Sequence, residues 1–145
     1  MSTPRTIIVT GGSKGLGEAI SRGFYATGDH VVIAGRHDNG LAARLGPRAR
    51  FIATDVRCVP AIEALIAQTV TWTGRIDVLV NNAGVSGWRA LGDIDETFWD
   101  EMMDTNLKSV LFASKATAAR MQRGGAIINI SSLAGKRGSA NNAVY

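Results

Sequence analysis

Short runs of aliphatic residues recur along the chain and alternate with longer stretches of helical periodicity. The runs are Ile7 to Val9, Val31 to Ala34, Phe51 to Ala53, Val78 to Val80 and Ile127 to Ile130, each bounded by Gly, Asp or Asn. They are non-alternating and largely β-branched, the pattern of strands buried on both faces. Between them, Leu16 to Ala26, Leu41 to Leu45 and Pro60 to Val70 read as helices, with Pro60 suited to a first helical position. In the third segment Ile62, Leu65, Ile66 and Val70 recur at helical spacing, while Glu63 and Gln68 fall elsewhere on the wheel. A fourth helix is predicted from about Thr97 to Met121, with Phe98, Met102, Met103, Leu107, Val110 and Leu111 as its apolar stripe. Strand and helix in alternation, joined by right-handed crossovers, predict an α/β fold with a doubly wound parallel sheet.

The bulk properties narrow the function classes. The 145 residues are 46% hydrophobic and contain no repeat or linker-like tract, so a single domain, 1–145, is expected. A net charge of +4 suits an anionic ligand. No block of like charges and no basic patch interleaved with aromatics is present, which argues against nucleic acid. The single cysteine, Cys58, forms no internal disulfide and reads as a packing residue, and no His or second Cys stands at metal-ligand spacing. Ile7-Ile8-Val9 follows only six residues of leader, and no run of eighteen apolar residues occurs. A soluble, cytoplasmic chain without membrane contact is therefore expected.

Chemistry enters at the first strand-to-helix turn. Thr10-Gly11-Gly12-Ser13-Lys14-Gly15-Leu16-Gly17 follows a strand and opens a helix, the context that a dinucleotide phosphate site demands. Glycine takes positive φ and lets the backbone approach a pyrophosphate, and a helix N-terminus offers free N–H groups. Gly11, Gly15 and Gly17 fit those needs, with Ser13, Lys14 and Leu16 in the same turn; the G-x-x-x-G-x-G spacing taken alone also suits a flexible turn. NAD-selective sites place an acid near the end of the second strand to bind the ribose 2′-hydroxyl. Here Gly35 leaves that place empty, and Arg36 offers a forked guanidinium that matches a phosphate. Arg36 and Lys14 together favour NADP(H), while Asp38 keeps NAD(H) open and a solvated strand-end charge is the plain alternative for Arg36.

With Asn81-Asn82-Ala83-Gly84 directly after the fourth strand, the chain resembles the short-chain dehydrogenase/reductase family over essentially its whole length. The family's T-G-x-x-x-G-x-G matches Thr10 to Gly17, its N-N-A-G matches Asn81 to Gly84, and its Asp-Val after the third strand matches Asp55-Val56. The resemblance implies a Rossmann-like sheet of order 3-2-1-4-5. It places Asp55 at the adenine, Val56 in the wall of its pocket, and the backbone of Asn82, Ala83 and Gly84 beside the cofactor. It also implies catalytic roles for Asn106, in the fourth helix, and for Ser132, the second serine of Ile130-Ser131-Ser132. The family's tyrosine lies thirteen residues beyond that serine, which is Tyr145.

Reducing a carbonyl takes a hydride, which the cofactor supplies, and a proton, which the protein must bring. By the resemblance Tyr145 is the general acid and base, Ser132 polarises the substrate oxygen, and Asn106 holds a water in the proton relay. A free phenol keeps its proton near neutral pH, so the role calls for a neighbouring cation. The family takes that cation from a lysine four residues past the tyrosine, a position this sequence does not contain. Neither Lys115 nor Lys136 stands at that spacing. The chain therefore resembles the front part of such an enzyme, lacking the family's last strands and helices, and is expected to be inactive as written. A non-catalytic dinucleotide-binding module and a fragment without function are the competing readings. The implied partners are a small carbonyl or alcohol substrate and, for complete family members, further copies of themselves. Without a following helix, the Ile127 to Ile130 strand is expected at a sheet edge that invites self-association. Trp88, Arg89 and the Lys136 to Ala143 stretch border the substrate side or form solvated loop.

Overall fold

The computed structural model describes residues 3–145. Its five strands are β1 (Thr6–Thr10), β2 (His30–Gly35), β3 (Ala49–Ala53), β4 (Val78–Asn81) and β5 (Ala126–Asn129). They pair in the order β3-β2-β1-β4-β5, and every pairing is parallel. The expected strand order and Rossmann-like architecture are both present. Helices α1 (Gly15–Ala26), α2 (Leu41–Leu45), α3 (Val59–Thr73), α4 (Glu96–Met103) and α5 (Ser109–Ala118) complete the alternation.

Successive strand residues point to opposite faces, and the two cores follow from that. Ile8, Val32, Ala34 and Leu79 join Ile62, Leu65 and Ile66 of α3 and Ala113 of α5 on one face. Ile7, Val9, Val31, Ile33 and Val80 face α1 and α2, where Ile20, Phe24 and Leu41 pack. The face of α3 predicted from Ile62, Leu65 and Ile66 is the buried one, and Glu63 and Gln68 are exposed. Each fully buried aliphatic side chain stabilises the sheet by about 1.5–3 kcal/mol.

Burial on both faces holds at the centre of the sheet and fails at its edges. All five residues of β1 are buried, whereas all four of β5 are exposed and β3 is covered only in part. Ile127, Ile128 and Ile130 are aliphatic, but β5 is an edge strand, and the α4–α5 segment packs on α3 and β4 and leaves β5 uncovered.

The predicted fourth helix departs from its expectation in two ways. It is interrupted at Asp104–Lys108 by a π turn, and it ends at Ala118 before Met121. Met102, Thr105, Ser109, Ala113 and Thr117, spaced three or four residues apart along one face, are buried. Small and hydroxyl side chains let this helix approach its neighbours closely. The expected apolar stripe is turned outward over its second half, leaving Leu107 and Leu111 exposed. Cys58 is likewise exposed at the start of α3 and does not pack in the core.

Candidate active site at the sheet switch point

Chain order reverses between β1 and β4, and in open α/β sheets ligands bind outside the carboxyl ends of the strands at such a point. Here the two strand ends are fastened together by Thr10. The backbone N–H groups of Asn82 and Ala83 both donate to Thr10 Oγ1 at 3.0 Å. Asn82 Nδ2 donates to the carbonyls of Thr10 and Gly11, at 3.0 and 3.2 Å.

The glycine turn has no room for side chains at Gly11, Gly12 and Gly17. Gly11 has φ +63°, and a Cβ on it would stand 3.0 Å from the Ala83 Cα. A Cβ on Gly17 would collide with the Gly11 carbonyl and the Asn82 amide, and one on Gly12 would come within 2.8 Å of the Val9 carbonyl. Gly12 and Thr10 are structural members of the turn that the glycine spacing alone does not single out. Gly15, at φ +55°, and Leu16 begin α1 on its exposed end, where Lys14 precedes the first helical residue.

Beside this turn lies a cavity of about 330 Å³. Gly11, Ser13, Lys14, Arg36, Asp55, Val56, Ala83 and Gly84 line it, so eight of the expected cofactor contacts surround one space. Gly15, Leu16, Gly17 and Asn82 stand outside this lining, with Gly17 and Asn82 shaping the turn from behind. Among the described residues Lys14 and Arg36 make no ion pair. A Cβ on Gly35 would meet Ser13 only at 3.7 Å, so crowding does not require the glycine, and no acid stands there. Asp38 accepts the Gly40 N–H at 2.8 Å and does not line the cavity. Asp55 accepts a forked pair from Arg57, which holds its pKa down at about 2.

A second cavity, of about 650 Å³, adjoins the first through Ala83, Gly84 and Val85, which line both. It brings together Asn106, Ser132 and Tyr145, which are far apart in the chain. Asn106 lies in the π turn, where its side chain clamps the loop after β4. Its Oδ1 accepts the Val85 N–H and its Nδ2 donates to the Val85 carbonyl, both at 2.8 Å. This clamp gives the helix-disfavouring asparagine a positioning reason of its own. Ser132 is exposed and its Oγ accepts the Ala134 N–H at 3.2 Å; Tyr145 is exposed too. None of the lysines lines this cavity. Arg89 pairs by its backbone with the Asn141–Asn142 segment, joining the two loops expected on the substrate side.

Residues 5–145 match the family model described as short chain dehydrogenase. The chain belongs to the short-chain dehydrogenases. It is 35% identical to a sorbitol dehydrogenase of Cereibacter sphaeroides, across 97% of this chain and 57% of that protein. It is 34% identical to a 3beta-hydroxysteroid dehydrogenase of Mediterraneibacter gnavus, across 97% of this chain and 54% of that one. A solved short-chain dehydrogenase/reductase from Serratia marcescens superposes with a TM-score of 0.91 at 30% identity, across 97% of this chain and 61% of that one. The chain thus spans little more than half the length of these curated relatives. As a short-chain dehydrogenase it is of an oxidoreductase family that binds a nicotinamide dinucleotide. Among the described residues no helix is long and apolar enough to cross a membrane.

Proposed function

We propose that this chain carries the NADP(H) site and three proton-handling residues of an oxidoreductase that interconverts a carbonyl and an alcohol. The observation that carries the cofactor choice is the cavity beside the glycine turn. Its cations Lys14 and Arg36 are unpaired, and no acid occupies the strand-end position at Gly35. A 2′-phosphate fits that charge pattern better than a bare ribose hydroxyl.

The nicotinamide would supply the hydride when bound across the two cavities. Gly11, Gly15, Gly17 and the first N–H groups of α1 would hold the pyrophosphate. Asp55 and Val56 would receive the adenine, and Ala83 and Gly84 would run beside the ribose. In the second cavity Tyr145 would exchange the proton with the substrate oxygen, and Ser132 would donate a hydrogen bond to that oxygen. Asn106, with its side-chain amide committed to Val85, would hold a relay water on the one acceptor position left on Oδ1. A small carbonyl or alcohol is the substrate class, and self-association through the exposed β5 edge accompanies it.

A polypeptide of residues 1–145 is expected to bind cofactor without turnover, because Ser132 and Tyr145 are exposed and no lysine lines their cavity. Titrating wild type and Arg36→Asp with NADPH and NADH tests the cofactor assignment. Wild type is expected to prefer NADPH, and the variant to shift towards NADH. Unchanged relative affinities would contradict it, and robust NADPH oxidation by residues 1–145 would contradict the expected lack of turnover.

A further inference from the structure

Arg57 is a cation in the cofactor cavity that neither the glycine turn nor the strand-end charge accounts for. Its guanidinium is locked onto Asp55: Nε donates to Oδ1 at 3.0 Å and Nη2 donates to Oδ2 at 2.6 Å. Its backbone N–H also donates to Oδ1 at 3.0 Å, and Nε reaches Oδ2 at 3.2 Å. Arg57, Asp55 and Val56 line the cavity opposite Glu101 and Thr105 of the α4–π segment. Glu101 and Asp104 lie close enough to add to the negative field around Arg57.

A carboxylate has about four lone-pair positions. Oδ1 has two donors within 3.0 Å, whereas Oδ2 has one short donor and a shared one. Oδ2 therefore keeps one acceptor position. With the Arg57 charge beside it, Asp55 stays ionised through the working pH range and cannot turn donor. A rigid, charged, single-acceptor group accepts an N–H and repels a lone pair.

Resting on the dinucleotide reading above, we infer that Arg57 is a base-specificity positioning residue. It fixes Asp55 so that the pocket takes a purine bearing an exocyclic amine and rejects one bearing a carbonyl at the same place. The fork also separates Arg57 from the phosphate-facing cations. Nε and one N–H of Nη2 are held on Asp55, and the inference leaves the 2′-phosphate to Arg36 and Lys14.

Calorimetric titration with 2′,5′-ADP and its hypoxanthine counterpart reads this directly. A hydrogen bond to a charged acceptor predicts that wild type binds the adenine form about tenfold more tightly. Arg57→Met is expected to reduce the preference to about twofold while leaving the NADPH-to-NADH affinity ratio unchanged. Arg57→Lys, which keeps charge without the fork, is expected to fall between. Asp55→Asn removes the charge itself and should lose the preference as Arg57→Met does. An equal loss of affinity for both bases, a preference retained in Arg57→Met, or a shift in its NADPH-to-NADH ratio would each overturn the inference. Wild type that binds neither nucleotide would overturn the dinucleotide reading, and the inference with it.

Discussion

The two halves of the candidate site are built on opposite kinds of scaffold. The cofactor half hangs from β1 and β4, whose residues are all buried and whose ends Thr10 ties together. The reaction half hangs from β5, an edge strand exposed along its length, and from Ser132 and Tyr145 beyond it. Phosphate recognition needs backbone groups held still, and a strand packed on both faces provides that. Proton transfer needs side chains in register with a substrate, and an exposed strand gives them little support. Within residues 3–145, then, the glycine turn rests on strands buried along their length, and Ser132 and Tyr145 follow a strand that is exposed along its own.

Paired truncations should expose the contrast most strongly. Ile8 is fully buried and Ile128 is 41% exposed. Chemical denaturation should show Ile8→Ala costing about 2–5 kcal/mol, and Ile128→Ala costing less than about 1 kcal/mol. Equal losses would erase the distinction between the two strands.

Next in size is Gly17→Ala. Its Cβ must displace the Gly11 carbonyl or the Asn82 amide, at about 1–3 kcal/mol of stability. Dinucleotide affinity should fall with it, whereas Gly15→Ala, with open space around its Cβ, carries only the cost of a positive φ. Thr10→Val keeps the shape but leaves the Asn82 and Ala83 N–H groups without their acceptor. It should cost about 1–3 kcal/mol, and NADPH affinity should drop more than it does for any substitution in β5.

The smallest effect is an acid limb. The Arg57 fork lowers Asp55 from 3.8 to about 2, and the Arg5 guanidinium lowers Asp29 as well. Both groups stabilise the fold above their unfolded values, and that contribution is lost as pH falls through their lowered values, which for Asp55 means from about 4 to about 2. Arg57→Met should flatten the Asp55 part of this limb in acid unfolding curves, lowering stability at pH 7 by under about 1 kcal/mol and leaving it unchanged at the acid end, where Asp55 is protonated in both proteins. A limb of the same steepness would show that Arg57 does not hold Asp55.

Much of the cofactor half was legible in the sequence, because its requirements are local. Positive φ at Gly11 and Gly15, the missing acid at Gly35 and the free Arg36 are properties of single positions. The reaction half was legible only through resemblance to a family. Hydrophobic pattern alone reads Ile127 to Ile130 like Ile7 to Val9, both covered; the place of the former at a sheet edge came from the expected strand order, and the structure has it there, exposed. The π turn at Asp104–Lys108 hides for a related reason. The buried Met102, Thr105, Ser109, Ala113 and Thr117 keep a spacing of three or four residues through it, opposite the exposed Leu107 and Leu111, so no break in the pattern announces it. The Arg57 fork escapes a periodicity reading too, because it forms in the turn after β3, where no regular period applies.

Native-state hydrogen exchange compares the two scaffolds most directly, using amides that are hydrogen-bonded in both. Asp77 donates to the Thr6 carbonyl and Asn82 to Thr10 Oγ1, while Ala126 donates to the Asp77 carbonyl and Ile130 to that of Asn81. The account predicts that Asp77 and Asn82 exchange only through near-global unfolding. Ala126 and Ile130 should exchange about 100-fold faster or more, through local opening of the edge strand. Equal protection of all four amides would contradict it.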